Sequence, residues 1–498
     1  MSSAPAALGS NGARPALREV GPAGRLAPLE RLEALCDLHS LELVRTSVAS
    51  RSRRSAPGDG VVAGAGAVGG RPVYCYAQDQ SFAGGSLGTA QAESIVRVLE
   101  LAGRVGAPVV GFIESGGARI DEGTAALDGY GAIFRHHVEL SGRVPQISVI
   151  TGTSAGGGAY SPALTDFVVM TEGSRMFLTG PGVVKEVTGE SVSMDELGGT
   201  RVHSRNGVCD LVADDDRAAA ELVRELLGHL PQSSAVPPDP TLPHDPLGRD
   251  PGTIVPEDPR AVYDVRSVIR CLCDRSRMLE LSPRWARNMV TALTRLNGHP
   301  VGVIANQPRH LGGVIDAAAS EKGARFIRTC DAYRLPLVVL VDTPGFLPGT
   351  KQEALGVIRH GASLVHAFAA ARVPKVTVVL RKGYGGGFIT MNSRELGADL
   401  ALAWPTAEVG VMGPRQAVGV MHRREIAEAS DSDAEHERLA DEYAARHLRA
   451  EVAAAGGHVD EVIESTDTRE RLIWALSVLG GDRAAPSPGR PSRREVPR

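Results

Sequence analysis

The chain has 498 residues, of which 43% are hydrophobic and 22% are charged, and its formal net charge is −4. This length suits two domains of roughly 200 residues each rather than a single hydrophobic core. The weak negative charge gives no general reason to bind nucleic acid or an anionic membrane, and no apolar stretch approaches the length of a transmembrane helix.

The first residues and the cysteines indicate the compartment. The first 24 residues lack the basic start and the apolar run of a secretory signal. Six cysteines in so long a chain do not form a disulfide framework, and their spacing does not predict a metal site. We therefore expect a cytoplasmic protein with reduced cysteines, no metal, and no nucleic-acid or membrane partner.

Apolar residues show both strand-like and helical spacing along the chain. Helices are predicted at residues 26–36, 87–101 and 130–140. Strands are predicted at residues 61–62, 73–74, 109–113 and 147–150. Strands that alternate with helices in this way predict an α/β fold.

The same patterns divide the chain into five segments. An N-terminal extension, predicted to be partly disordered, covers residues 1–57, and a first domain covers 58–230. Proline is crowded in the next stretch, which excludes a helix interior or a central strand, so residues 231–260 are predicted to be a linker. A second domain covers 261–480, and the Pro- and Arg-rich end, 481–498, is predicted to be a disordered tail.

The two predicted domains repeat the same motifs in the same order. The pairs are GGSL at 84–87 with GGVI at 312–315, ESGG at 114–117 with DTPG at 342–345, and GGG at 156–158 with GGG at 385–387. The members of each pair lie 228 or 229 positions apart. A period of that length indicates a duplicated domain and not a solenoid repeat.

The two glycine triplets are the strongest candidates for a functional site. Each follows a predicted buried strand and precedes a predicted helix. Glycine lets a ligand approach the backbone closely, and free N–H groups at a helix start point at a partially negative oxygen. This arrangement builds an oxyanion hole for an enolate or a tetrahedral species. A tight turn with close strand–helix packing is the alternative for a single triplet, but the second triplet favours the functional interpretation.

Other catalytic chemistries have weaker support in the sequence. Neither glycine loop has the G-x-x-x-x-G-K-[ST] or G-x-G-x-x-G pattern of nucleotide binding. Serine hydrolase chemistry is also weakly supported. The histidines in predicted helices have no spacing typical of a ligand set or a catalytic base. An enzyme with two backbone holes and no side-chain base needs a base from its substrate or cofactor.

Arg119 allows two interpretations. It follows Glu114, Gly116 and Gly117 at the carboxyl end of a predicted strand, where α/β proteins bind ligands, and a guanidinium there could hold a phosphate bidentately. It could equally pair with Glu122 and stabilise the start of a helix.

With these motifs, the chain resembles the carboxyltransferase (beta) subunits of biotin-dependent acyl-CoA carboxylases of the acetyl-CoA and propionyl-CoA type. The similarity runs from about residue 58 to residue 479. Further motifs that carry it are SPALTD at 161–166, ANQP at 305–308, DTPGFLPG at 342–349 and AWPTAE at 403–408. The resemblance implies two tandem crotonase (ClpP/crotonase-like) domains, each a ββα spiral, that arose by internal duplication.

The resemblance also implies an activity. The enzyme would transfer the carboxyl group from carboxybiotin to the α-carbon of a short acyl-CoA, acetyl-CoA or propionyl-CoA, to give malonyl-CoA or methylmalonyl-CoA. The ring nitrogen of biotin, freed as CO2 leaves, would take the α-proton. These products would serve as fatty acid or polyketide precursors.

Partners follow from the same resemblance. The chain lacks the Met-Lys-Met context of a biotin attachment site and a Gly-rich ATP-grasp region, so a biotin carboxylase/biotin carboxyl carrier alpha subunit would supply carboxybiotin. A homo-hexamer, a trimer of dimers, is implied, with each site shared between the first domain of one subunit and the second domain of its partner. Open alternatives are a biotin-dependent acyl-CoA decarboxylase, a specialised-metabolism carboxylase for another acyl thioester, a crotonase-like hydratase or hydrolase, and a non-catalytic scaffold.

By motif position, the resemblance implies two sets of site residues. Gly157 and Gly158 would bind the thioester oxygen as it becomes an enolate, and Gly386 and Gly387 would bind the ureido oxygen of biotin. The rest of the acyl-CoA side would be Gly84, Gly85, Ser115, Gly116, Gly117, Arg119, Ala155, Gly156 and Ile389. The rest of the biotin side would be Pro344, Gly345, Phe346, Gly385 and Phe388. Propionyl-type members carry Asp at the position of Ile389, so this residue leaves the acyl preference open.

Overall fold

A computed structural model describes residues 24–50, 56–248 and 250–480. The disorder predicted for the first residues and for the tail at 481–498 therefore lies largely or wholly outside the described residues. Within them, the chain forms two mixed sheets of eight strands each. In this part of the chain, no helix combines the length and the apolar character that a membrane crossing requires.

The first sheet is formed by the first half of the chain. Its strands are β1 (Glu42–Val44), β2 (Val61–Val68), β3 (Arg71–Gln78), β4 (Val109–Ser115), β5 (Gln146–Ala155), β6 (Phe167–Thr171), β7 (Arg175–Phe177) and β8 (Leu211–Ala213). Their order is β1-β2-β3-β4-β5-β6-β8, and β7 pairs with β5. The pairs up to β3 are antiparallel, and those from β3 onward are parallel.

The second sheet repeats this topology. Its strands are β9 (Met278–Leu281), β10 (Met289–Leu296), β11 (His299–Asn306), β12 (Leu337–Thr343), β13 (Lys375–Tyr384), β14 (Leu400–Ala403), β15 (Glu408–Gly410) and β16 (Glu461–Val462). Their order is β9-β10-β11-β12-β13-β14-β16, and β15 pairs with β13. Again three antiparallel strands lead into parallel ones. The α/β prediction and the duplication are both confirmed.

Helices cover the two sheets. Those of the first half are α1 (Pro28–Leu35), α2 (Thr89–Val105), α3 (Thr124–Leu140), α4 (Gly157–Ala163), α5 (Pro181–Thr188), α6 (Met194–Gly198), α7 (Thr200–Asn206) and α8 (Asp216–His229). Those of the second half are α9 (Val265–Leu272), α10 (Ala317–Ala332), α11 (Thr350–Ala354), α12 (Val357–Ala370), α13 (Gly385–Thr390), α14 (Pro414–Met421), α15 (Arg423–Glu428), α16 (Ser432–His447), α17 (Ala450–Ala455) and α18 (Thr468–Leu479).

The central parallel strands are buried over their whole length, as β4 and β12 show. Such strands read as continuous apolar runs because both faces of the sheet are covered. On one face of the first sheet, Ile95 of α2 and Ile133 of α3 pack on Ile113 of β4. The carboxyl ends of the central strands remain free to carry the loops of a site, as is usual in open α/β sheets.

One hydrophobic cluster joins the two halves. It contains Phe112 and Val223 from the first half together with Ile304 and Phe326 from the second. The hydroxyl of Tyr333, just after α10, donates to Asp166 in the first half and lies 3.0 Å from the Val144 carbonyl oxygen. The Pro-rich segment is therefore not the sole connection between the halves.

The described residues before position 51, 24–50, pack against the first sheet. β1 adds to the edge of the first sheet beside β2, and Leu32 and Leu35 of α1 are fully buried against the sheet and α8. Residues 24–50 therefore pack with the first sheet, although the predicted first domain began at residue 58. The sequence predicted the helix at 26–36 but not β1, because a three-residue strand is too short to show a convincing period.

Arg31 ties α1 to the sheet through buried charges. Its side chain is 1% exposed and forms ion pairs of 2.8 Å with both Glu114, at the end of β4, and Asp216, at the start of α8. Arg25 also pairs with Glu114 at 2.8 Å, but its side chain is 38% exposed. Only the loss of a fully buried partner leaves charges without water or a counter-ion.

We expect Arg31→Ala to lower the free energy of unfolding by about 3–5 kcal/mol, because buried Asp216 loses its ion-pair partner and buried Glu114 keeps only the partly exposed Arg25. Arg25→Ala, the matched control at the same carboxylate, should cost about 0–1 kcal/mol because water replaces its contact. Urea and thermal unfolding of the two variants measure the difference. Equal losses would contradict a special role for Arg31.

Candidate active site

The predicted site residues lie at the carboxyl ends of two neighbouring strands in each half. In the first half, β4 ends beside β5, with Ser115 paired to Ser154. In the second half, β12 ends beside β13, with Thr343 paired to Gly383. The strand-end loops and the glycine triplets are therefore brought side by side in both halves, as the motif positions predicted.

The first triplet joins β5 to α4. Gly156 has a φ of +59°, a conformation that favours glycine. Gly157 is partly exposed and is the first residue of α4, so its N–H has no acceptor within the helix. Gly158 is buried, and a Cβ built on it would lie 2.7 Å from the Ser115 Cβ. Gly157 thus faces the opening, while Gly158 packs against the end of β4.

The second triplet has the same division of roles. Gly385 has a φ of +54°. Gly386 is exposed, and a Cβ built on it would be in ordinary contact with the Phe346 ring at 3.7 Å. Gly387 is buried, and a Cβ there would lie 2.8 Å from the Gly345 Cα. In each half, the second glycine of the triplet is therefore accessible from outside, and the third glycine packs against the end of the neighbouring strand.

The GGSL loop and its copy support the strand-end loops. Gly84 and its counterpart at 312 have φ values of +65° and +63°. Gly85 approaches the backbone at the end of β4 so closely that a Cβ would lie 2.7 Å from the Glu114 carbonyl oxygen. Leu87 N–H donates to the Gly117 carbonyl at 2.8 Å, and in the second half Ile315 N–H donates to the Gly345 carbonyl at 2.9 Å. These glycines therefore pack against the strand-end loops and help to fix their conformation.

Side chains at the strand ends hold the same loops. The Ser115 hydroxyl accepts from Gly117 N–H at 3.3 Å, and the Thr343 hydroxyl accepts from Gly345 N–H at 3.2 Å. Gly116 has no room for a side chain, because a Cβ would lie 2.6 Å from the Gly84 carbonyl oxygen. The remaining predicted residues lie in these loops: Ala155 ends β5, Pro344 is exposed, and Phe346 and Phe388 are half-buried against the core.

Arg119 does not have the phosphate-binding role that one interpretation gave it. Its buried guanidinium donates to Asp59 at 2.9 Å, to Glu122 at 2.9 Å and to the Ser86 carbonyl at 3.0 Å, and it lies over the Phe82 ring. With two carboxylates and a ring around it, this guanidinium has no free face for a phosphate. The structure favours the ion-pair interpretation and adds Asp59, whose pKa is raised by burial.

Ile389 lies beside the second glycine pair and not the first. It follows Phe388 in α13 and is 53% exposed. Its exposure excludes a role as a core residue within one chain. Within one chain, Ile389 therefore borders the predicted biotin-side residues.

The sequence analysis missed several charged and aromatic residues next to the site. Asp342, the counterpart of Glu114, is buried beside Arg381 at 3.1 Å, and burial raises the pKa of this carboxyl group. Tyr384, just before the second triplet, donates to Glu408, and burial raises the pKa of its hydroxyl. The internal repeat was the one signal that could have singled out Asp342, because it aligns with Glu114.

The groups that this site offers for catalysis are mainly backbone N–H donors. In the part of the chain that the structure describes, no three His, Cys, Asp or Glu side chains cluster in a way that could hold a metal ion. His137, the histidine on α3, is buried and bonded to Gln146, and burial lowers its pKa to about 4. The geometry suits stabilisation of oxygen atoms that gain negative charge.

Comparison with known proteins identifies the family. The family model of the carboxyl transferase domain matches residues 19–490. The chain is 48% identical over 432 residues to the propionyl-CoA carboxylase carboxyltransferase subunit of Haloferax mediterranei, covering 86% of this chain and 84% of that one. It is 43% identical over 488 residues to a biotin-dependent acetyl-/propionyl-coenzyme A carboxylase beta5 subunit of Mycobacterium tuberculosis, covering 93% and 88%.

A solved structure agrees with these relatives. The crystal structure of transcarboxylase 12S, described as a hexamer with methylmalonyl-coenzyme A and methylmalonic acid bound, superposes with a TM-score of 0.89 at 44% identity. The match covers 95% of this chain and 92% of that one, which confirms the predicted tandem crotonase-like fold. The chain therefore belongs to the carboxyl transferase domain family, and it is a carboxyltransferase of the propionyl-/acetyl-CoA carboxylase type.

Proposed function

We propose that this chain moves a carboxyl group from carboxybiotin, carried by a partner alpha subunit, to the α-carbon of acetyl-CoA or propionyl-CoA. The observation that carries the proposal is the pair of matching glycine backbones, Gly157 and Gly386, one in each half. The thioester oxygen of an acyl-CoA and the ureido oxygen of biotin both gain negative charge during transfer. Two preorganised backbone sites for two such oxygens are what this reaction needs.

Biotin fits the residues of the second half. Gly386 is exposed, and the Phe346 ring lies next to it, so a free N–H and an apolar ring face border the same space. When bound there, carboxybiotin supplies the CO2 and the ring nitrogen that takes the α-proton. The chain's own contribution is to bind the ureido oxygen at Gly386 and Gly387 and to hold the thioester oxygen at Gly157 and Gly158. No side-chain base is then required.

We further propose a homo-hexamer, a trimer of dimers, whose sites are shared between subunits. Large apolar side chains are exposed in both halves, among them Ile120, Leu127, Tyr160, Ile358, Val411 and Val420. Apolar surface of this extent marks an interaction site. A second subunit over these residues would exclude water from the reaction. It would also bring Ile389 of one subunit to the acyl side of the other.

Reduced cysteines support a cytoplasmic location. None of the six cysteines is in a disulfide, and five of them are buried. Buried thiols outside disulfides are typical of proteins in a reducing compartment.

We expect the chain alone to carboxylate no acyl-CoA, because it carries no biotin and no ATP site. Carboxylation of acetyl-CoA and propionyl-CoA should appear when a biotinylated alpha subunit, ATP and bicarbonate are added. Incorporation of labelled bicarbonate into acid-stable product measures the reaction. ATP-dependent carboxylation by the chain alone would refute the proposed division of labour.

Two neighbouring glycines give a matched test of the biotin side. In Gly386→Ala the new methyl group meets only the Phe346 ring at 3.7 Å, so folding should be unchanged. That methyl group occupies the approach of the ureido oxygen, and transfer from free biotin should fall about 10²–10³-fold, as for the loss of one oxyanion donor. Gly387→Ala should instead lower the thermal stability, because its Cβ would lie 2.8 Å from backbone. A wild-type rate in Gly386→Ala would exclude this loop as the biotin site.

Ile389 is proposed to set the acyl preference. An apolar side chain discriminates weakly, about 1–3 kcal/mol per methylene, so the wild type should accept acetyl-, propionyl- and butyryl-CoA. Ile389→Asp should narrow this range, because a carboxylate near a longer apolar chain loses solvation. The measurement is kcat/KM for the three thioesters. Val478→Asp, at an exposed position on α18, controls for added charge, and unchanged ratios in Ile389→Asp would end the proposal.

A further inference from the structure

The acyl-side glycine pair rests on an aromatic ring that has no counterpart in the other half. A Cβ built on Gly157 would lie 2.6–2.7 Å from three ring carbons of Tyr130 on α3, so the ring lies directly against this backbone. The residue 228 positions later is Ile358, which is 76% exposed and supports nothing comparable. At Gly386 the nearest ring, Phe346, is more than an ångström farther away.

The phenol of Tyr130 also connects the parts of the acyl side. Its oxygen is 2.7 Å from the Ser115 hydroxyl, and the Gly158 amide interacts with the same phenol oxygen. Ser115 in turn accepts from Gly117 N–H at 3.3 Å. Burial raises the pKa of Tyr130 to about 12, so the phenol is protonated at neutral pH and can donate while it accepts. One side chain thus links the glycine pair to the strand-end loop.

Gly158 and Tyr130 line the same small cavity. Its volume of about 10 Å³ is close to the volume that one water molecule needs. The cavity is lined by aliphatic side chains and by Tyr130, Tyr76, Gln78 and Ser161. The Gly158 carbonyl accepts from the Ser154 hydroxyl at 2.7 Å, and the Tyr130 phenol borders the cavity on which Gly158 lies.

We propose that Tyr130 is a positioning residue for the acyl-CoA half of the reaction. Its ring fixes Gly157, and its hydroxyl fixes Gly158 relative to Ser115. This inference rests on the proposed function, since it assigns the glycine pair to the thioester oxygen. An oxyanion donor acts chiefly on the transition state, so a misplaced donor lowers kcat more than it raises KM.

The test compares Tyr130→Phe with Tyr76→Phe in the complex with the biotinylated alpha subunit. Tyr76 lines the same cavity, but its ring lies against Gly111 and not against Gly157. Tyr130→Phe keeps the ring and removes the hydroxyl. We expect its kcat to fall about 10- to 100-fold, the scale of a misplaced catalytic group, with the KM for acyl-CoA and for free biotin within about 2-fold. Tyr76→Phe should resemble the wild type.

Amide hydrogen exchange of the peptide that contains residues 155–163 gives a readout independent of activity. Exchange there should be faster in Tyr130→Phe than in the wild type or in Tyr76→Phe. A wild-type kcat in Tyr130→Phe, or equal losses in both variants, would overturn the proposal. An inactive wild-type complex would refute the proposed function instead. Exchange would then decide alone: faster exchange supports the role of the phenol, and unchanged exchange overturns it.

Discussion

In each half of this protein, a glycine is pressed against the end of the neighbouring parallel strand. Gly158 meets Ser115, and Gly387 meets Gly345, at separations that no side chain would allow. This contact sets the distance between the two loops of each site, because the two loops already touch there and the glycine contributes no side chain between them. The preceding glycine, at 157 or 386, is held at the opening as a consequence. The geometry of the proposed chemistry thus depends on backbone packing more than on any reactive side chain.

The duplicated halves keep this backbone contact and differ in what surrounds it. A buried carboxylate precedes each strand-end loop, Glu114 in one half and Asp342 in the other. Its positive partner comes from α1 in the first case, as Arg31, and from strand β13 in the second, as Arg381. A buried carboxylate must have a partner, but the partner can come from any element that reaches it. Each buried carboxylate therefore has a positive partner, but the partners belong to different elements. A substitution of one partner consequently affects only one of the two sites.

Sequence patterns revealed what is local or repeated and missed what is distant. The central strands and α3 were predictable because their apolar spacing extends over many residues, and the glycine pairs at 157 and 386 stood out because they recur. Arg31 could not be recognised, since its partners lie 83 and 185 positions away and such pairs leave no periodic signal. For Arg119, Glu122 was visible three residues on, but the second carboxylate, Asp59, lies 60 positions upstream. Only the fold brings such partners together.

The hydrophobic cluster between the two sheets limits how this protein can be divided. Phe112 and Val223 share one core with Ile304 and Phe326, and the Tyr333 hydroxyl reaches Asp166 across the same boundary. Cutting the chain in its Pro-rich segment would expose an apolar face on each half and leave the Asp166 carboxylate without that donor. Each half contains a complete sheet, yet each half also covers apolar surface of the other. Duplication here made two similar folds that depend on each other, so a single half would need a second copy to cover it.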